Sequence, residues 1–134
     1  MSTALSQVQI EVGNDEHSRP IGFALEDRMM SRGVQNPAYR LALSSAIAVG
    51  DVAVEQNTDV TRKSVTLLTS YTLIENESGK SLFTRRARSI TAYNRVISEF
   101  ANLVAERDAI DRASQQIATT IEQDLAVYFN RQSQ

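Results

Sequence analysis

Val65-Thr66-Leu67-Leu68-Thr69-Ser70-Tyr71-Thr72-Leu73 alternates more cleanly than any other run in the chain. Successive side chains of an extended backbone point to opposite faces, so Val65, Leu67, Thr69, Tyr71 and Leu73 share one side of a strand. A polar link, Glu75-Asn76-Glu77-Ser78-Gly79-Lys80, follows and leads into Ser81-Leu82-Phe83. Two extended runs joined by a short link containing glycine read as a hairpin. The second strand runs to about Tyr93 and is polar for a strand, because it carries Arg85, Arg86 and Arg88.

Upstream, Leu41, Leu43, Ile47 and Val49 alternate within Tyr39 to Val49 and share a face with Ser45. Gly50-Asp51 interrupts that run before Val52 and Val54, which predicts a strand with a bulge or bend at Gly50. Asn57-Thr58-Asp59 reads as the turn into the central run. Near the start, Val8, Ile10 and Val12 alternate with Gln7, Gln9 and Glu11, a short half-buried strand that ends at the turn Gly13-Asn14-Asp15. Ser18 stands where a helix cap is wanted and Pro20 where the first turn accepts proline. Ile21, Ala24, Leu25 and Met29 then form one apolar stripe, and Arg32-Gly33 predicts the helix end.

Downstream the period changes. From about Ser98 to Asn130 there is no glycine or proline, and Ala, Glu, Arg and Gln are frequent. Phe100, Leu103, Val104, Ile110, Ile117, Ala118, Ile121, Leu125, Tyr128 and Phe129 fall within a sector of roughly 120°, interrupted by Arg107, Asp111 and Ser114. This predicts a helix of about 30 residues, ~45 Å long, capped at Ser98. The order is β-α-β-β-β-α. Amphipathic helices and half-buried strands in that order predict an α+β, two-layer sandwich, with two helices packed on one face of a four-stranded mixed sheet. Residues 7–130 are expected to form the single domain, with 1–6 disordered or added ahead of it and 131–134 frayed.

Composition narrows the function. The 134 residues carry 14 Lys+Arg against 16 Asp+Glu, with 42% apolar residues, which is ordinary for a globular domain and not for a disordered chain or a supercharged nucleic-acid binder. Cysteine is absent, so the chain holds no disulfide, thiolate metal site or cysteine nucleophile. His17 is the single histidine and sits in a polar turn beside Asp15 and Glu16, which reads as exposed and not catalytic. Gly79-Lys80-Ser81 echoes a phosphate loop, but the upstream glycine is missing and a strand follows where a helix is needed. No apolar run approaches the length of a membrane-spanning helix. No cofactor or metal site is expected, and no enzymatic activity.

Charge is distributed unevenly. Residues 62–95 hold seven basic groups and two acidic ones, while the flanking regions are acidic. Arg86 and Arg88 share one face of their strand and Arg85 takes the other. With helices on one side of the sheet, the open face and its edge can carry a basic stripe. Arginine recognises phosphate and carboxylate through a bidentate fork. The simpler alternative is that these side chains pair with the acidic helix or protect an edge strand. Nucleic acid is not the expected partner, because the strand lacks interleaved aromatics for base stacking.

Thr61-Arg62, Tyr71-Thr72-Leu73, Gly79-Lys80, Tyr93-Asn94, Phe100-Ala101 and Ala105-Glu106-Arg107-Asp108-Ala109 occur in an order that resembles the LptE (RlpB-type) family. The closing run, Ala113 through Ile117-Ala118, Ile121 and Leu125-Ala126-Val127-Tyr128-Phe129, is similar to that family's final helix. The resemblance spans roughly residues 7–130 and is best from 60 to 129. It implies a non-catalytic lipoprotein of the Gram-negative outer membrane that plugs and helps assemble the LptD β-barrel and assists lipopolysaccharide insertion. It also implies lipopolysaccharide contact through basic residues, for which Arg62, Lys63, Arg85, Arg86 and Arg88 are the candidates; Arg62 matches the family's Arg before the third strand. Family members carry a signal peptide and a lipidated Cys. This chain shows neither, so it is expected to be a soluble fragment of an anchored precursor, on the periplasmic side of the cell outer membrane. The alternatives are an accessory lipoprotein of an ABC-type lipid transporter, or a small α+β ligand-binding domain or enzyme.

Overall fold

Alternation decides the sheet. In the computed structural model, which describes residues 3–52 and 61–132, the chain runs α1 (Thr3–Ser6), β1 (Val8–Glu11), α2 (Arg19–Met29), β2 (Tyr39–Asp51), β3 (Thr61–Glu75), β4 (Ser81–Arg95) and α3 (Glu99–Gln132). The strands lie in the order β1-β2-β3-β4, with β1 parallel to β2 and the other neighbours antiparallel. The mixed α+β sheet follows the sequence pattern, with one helical turn added at the front. Residues 3–6, placed outside the domain from the sequence, form that turn, and Leu5 is buried in the core.

Val65, Leu67, Thr69, Tyr71 and Leu73 are all buried on the face of β3 that the helices cover. Leu41 and Leu43 from β2, Val8 from β1 and Ala87 from β4 join them. From α2 come Ile21, Ala24, Leu25 and Met29, and from α3 Ile117, Ala118, Ile121 and Leu125. Removing these aliphatic side chains from water is the main favourable term, at about 1.5–3 kcal/mol for each large one. Gly22 lets α2 approach β1 closely: a Cβ there would stand 3.0 Å from Val12 and 3.2 Å from Ile10.

Several local expectations change. The strand β2 continues through Gly50 in unbroken register, Gly50 opposite Ser64 and Asp51 opposite Lys63, so there is no bulge at Gly50. An ion pair between Lys63 and Asp51 holds that end. The irregularity lies instead at Leu73/Ile74, next to the β3–β4 turn. Val54 and the Asn57-Thr58-Asp59 turn lie outside the described residues. Helix α2 stops at Met29, not at Arg32. Met30 takes the left-handed conformation (φ 55°) and the Ser31 N–H donates to the Glu26 carbonyl, which lets Met29 enter the core. Ser18 occupies the cap position, but its hydroxyl does not cap the helix. Ser98 does cap α3, accepting the Ala101 N–H at 3.2 Å, and α3 stays helical to Gln132, into the segment expected to fray.

The long helix holds the main correction. Phe100, Leu103 and Val104 were expected in the core and are exposed, Phe100 at 76%. At that end Asn102, Ala109 and Ala113 face the sheet instead. The cause is a mismatch of length. Helix α3 has 34 residues and α2 has 11, about 51 Å against 16 Å at 1.5 Å per residue. Where α2 lies alongside, near the Arg28–Glu122 ion pair, α3 buries both its sheet side and its α2 side. Beyond α2 the same apolar stripe continues with nothing beside it among the described residues.

Candidate functional site

The open face of the sheet is built by the positions that alternate with the core. Arg40, Ala42, Ser44, Ala46, Ala48 and Gly50 line it on β2, and Thr66, Leu68, Ser70 and Thr72 on β3. Thr84, Arg86, Arg88 and Ile90 complete it on β4. Small side chains keep this floor low. Two large apolar groups stand on it, Leu68 and Ile90, with Ile90 54% exposed. Arg88 lies opposite Leu68, and Arg86 lies opposite Ser70, which in turn faces Ser44.

Adjacent same-face positions on a strand are about 6.8 Å apart, so Arg86 and Arg88 present two guanidinium groups side by side. Both are exposed, and neither makes an ion pair among the described residues. The hydroxyls of Thr72 and Thr84 bond each other at 3.0 Å one step along the same face. The patch thus combines two uncommitted arginines, hydroxyl donors and exposed apolar groups. That chemistry suits an anionic group attached to an apolar body.

The other candidates are placed differently. Arg62 is on the open face, opposite Asn94, but six positions along β3 from Leu68, about 20 Å away. Lys63 is on the helix side of the sheet and pairs with Asp51. Arg85 is also on the helix side, opposite Tyr71. Its guanidinium lies 3.7 Å from Asp124 and 5.0 Å from the centre of the Phe83 ring. Asp124 accepts the Tyr71 hydroxyl as well. Burial, then the bond to Asp124 and its negative charge, push the Tyr71 phenol well above the ordinary range, with Arg85 opposing them. Arg85 therefore serves the junction between the sheet and α3. The structure brings Arg86 and Arg88 together and leaves the other three apart from them.

Two features carried no clear signal in the sequence. One is a polar chain through the β1–α2 loop. Asp15 accepts the Ser45 N–H at 2.7 Å and the Ser18 hydroxyl at 2.9 Å with one oxygen, and the His17 N–H at 3.1 Å with the other. Ser18 and Ser45 bond at 2.7 Å, and Ser45 and Thr69 at 2.8 Å. Burial works to raise the Asp15 carboxyl, but these donors outweigh it and hold the group below its ordinary value. The other is the exposure of the apolar stripe at the start of α3, whose residues the sequence marks as apolar but not as uncovered. Val96, Ile97, Phe100, Leu103 and Val104 are exposed, Ile97 at 99%. Asn102 fixes the start of the stripe, its side chain bonding both the N–H and the carbonyl of Val96 at 2.7 Å. No helix among the described residues is long and apolar enough to cross a membrane.

Over residues 5–125 the sequence matches the family described as LptE, lipopolysaccharide-assembly. No curated protein sequence matches the chain. Among solved structures, a Caulobacter crescentus protein described as a lipoprotein superposes with a TM-score of 0.83 at 20% identity, covering 98% of this chain and 96% of that one. The rare lipoprotein B of Shewanella oneidensis gives 0.70 at 12% identity, covering 95% and 98%. A minor lipoprotein of Acinetobacter baumannii gives 0.61 at 19% identity, covering 87% and 90%. At these identities the likeness of structure is one of fold.

Proposed function

We propose, from the premise that the chain belongs to the LptE lipopolysaccharide-assembly family, that it plugs and helps assemble an LptD-type outer-membrane β-barrel and contacts lipopolysaccharide through the open face of its sheet. The family is one of non-catalytic assembly lipoproteins, and that role is the frame for the finer reading. In this reading the domain works on the periplasmic side of the cell outer membrane, held there by a lipid anchor on the native precursor.

The observation that carries the lipid contact is the pairing of Arg86 and Arg88 beside Leu68 and Ile90, across from the small side chains of Ser44, Ala46 and Ser70. Lipopolysaccharide joins phosphates and carboxylates to acyl chains, and both halves find complementary groups there. Arg62 extends the positive charge along the same face. Lys63 and Arg85 contribute field but are engaged by Asp51 and Asp124. The bare stripe of α3 supports the barrel half of the reading. A row of exposed apolar side chains, its start fixed by two hydrogen bonds between Asn102 and Val96, is of the kind a lasting protein partner covers.

The test is binding of purified lipopolysaccharide to the Arg86→Glu/Arg88→Glu variant. We expect affinity to fall by about tenfold or more, while the melting temperature stays within a few degrees, since exposed substitutions cost little stability. Unchanged affinity would remove this face from the lipid contact.

A further inference from the structure

We propose that the outer edge of β4 accepts an extended polypeptide segment with acidic side chains at alternate positions, added antiparallel to the sheet. This inference does not rest on the barrel reading. It comes from the direction of the backbone groups. The Val52 N–H donates to the Arg62 carbonyl at 2.8 Å, so even-numbered positions of β2 and β3 face each other. The Ser45 N–H, of odd number, points away from β3 to Asp15. Carried through the β3–β4 register, odd positions of β4 bond to β3 and even positions face outward. The Ala92 carbonyl confirms it, accepting the Arg112 guanidinium of α3 at 3.1 Å on that side.

The outward N–H and C=O groups of Thr84, Arg86, Arg88 and Ile90 have no hydrogen-bond partner among the described residues. The strand is 15 residues long and contains no proline, and after the irregularity at Leu82 its register runs unbroken from Phe83 to Arg95. Edges of that kind are templates for another strand, and proteins blunt them with short length, proline, bulges or charge. Between the irregularity at Leu82 and the Ala92 carbonyl that Arg112 occupies, charge alone is present, and it is selective. A second copy pairing antiparallel near Arg86 and Arg88 would set arginines opposite or beside arginines on one face, which is unfavourable. An incoming strand with carboxylates on that face would meet them as ion pairs. Its other side chains would lie along the flank of α3 near Arg112 and Gln116, which already reach β4 through Ala92 and Ser89. Strand addition of this type draws affinity from main-chain bonds and specificity from alternate side chains.

The geometry makes a strict demand. In an antiparallel pair, a residue opposite an outward-facing position directs its own N–H and C=O back at it. Glutamates opposite Arg86 and Arg88 must therefore donate their own amides. The probe is a short acetylated peptide alternating glutamate with valine, titrated against the whole chain by fluorescence anisotropy. N-methylation at its glutamates should weaken binding by about tenfold or more, and N-methylation at its valines should leave it within about twofold. Ile90→Pro removes one outward N–H at a position where an edge tolerates proline, and should weaken binding by about tenfold while Ile90→Ala does not. Should Ile90→Pro fail to fold, the two methylated peptides still decide. No binding, equal binding of both methylated peptides, or loss with both would overturn the proposal. So would a tight dimer of the chain alone that the acidic peptide fails to dissociate.

Discussion

Asp15 ties three segments together. It accepts hydrogen bonds from its own loop at His17 and Ser18 and from the β2 backbone at Ser45. Because these donors hold its carboxyl below the ordinary value of 3.8, the charged form is bound more tightly in the folded chain than in the unfolded one. The stability it contributes is present above about pH 4 and is lost as pH falls through the lowered value. Asp15→Asn should therefore cost about 1 kcal/mol at neutral pH, with solvent screening keeping the figure small, and should flatten the loss of stability below about pH 4. Urea titrations at neutral and acid pH check this; parallel pH profiles for the two proteins would show that Asp15 is not the sensor. The sequence marked Asp15 only as a turn residue, because its partner Ser45 lies 30 positions away. Arg85 was legible as facing away from Arg86 and Arg88, since alternation is local. Its engagement with Asp124 was not, since that contact depends on where α3 crosses the sheet.

Among the elements, β3 and the hairpin to β4 were readable because a period of two survives without tertiary information. Helix α3 was readable as a helix but not as a packed one. Its apolar stripe runs straight from Phe100 to Phe129, while the surroundings change where α2 ends. No local pattern reports the length of a neighbouring helix. The two halves should respond differently to the same substitution. Ile121, fully buried between sheet and helices, should not tolerate a charge, so Ile121→Asp should lower stability by about 4 kcal/mol or prevent folding. Phe100→Asp, on the same nominal stripe, should change stability by no more than about 0.5 kcal/mol. Thermal melts of the pair check the placement. Equal losses would mean that the start of α3 is packed after all.

At the scale of the whole molecule, the two faces divide the work. The covered face holds an aliphatic core and the Tyr71–Asp124–Arg85 junction, while the open face holds Arg86 and Arg88 above small residues. The chain as a whole is acidic, yet residues 62–95 are basic, and of their cations Arg86 and Arg88 stand side by side where the open face meets the β4 edge. The bare stripe on α3 adds a third surface without a partner among the described residues. A domain with such surfaces is expected to be a monomer by itself and to gain its stable contacts from a larger assembly. The most direct test is co-purification. The tagged protein, expressed in its own cells and extracted from outer membranes in mild detergent, is expected to carry one large LptD-type β-barrel in equal amount through successive columns. An inner-membrane permease in its place, or no barrel at all, would contradict the proposed role.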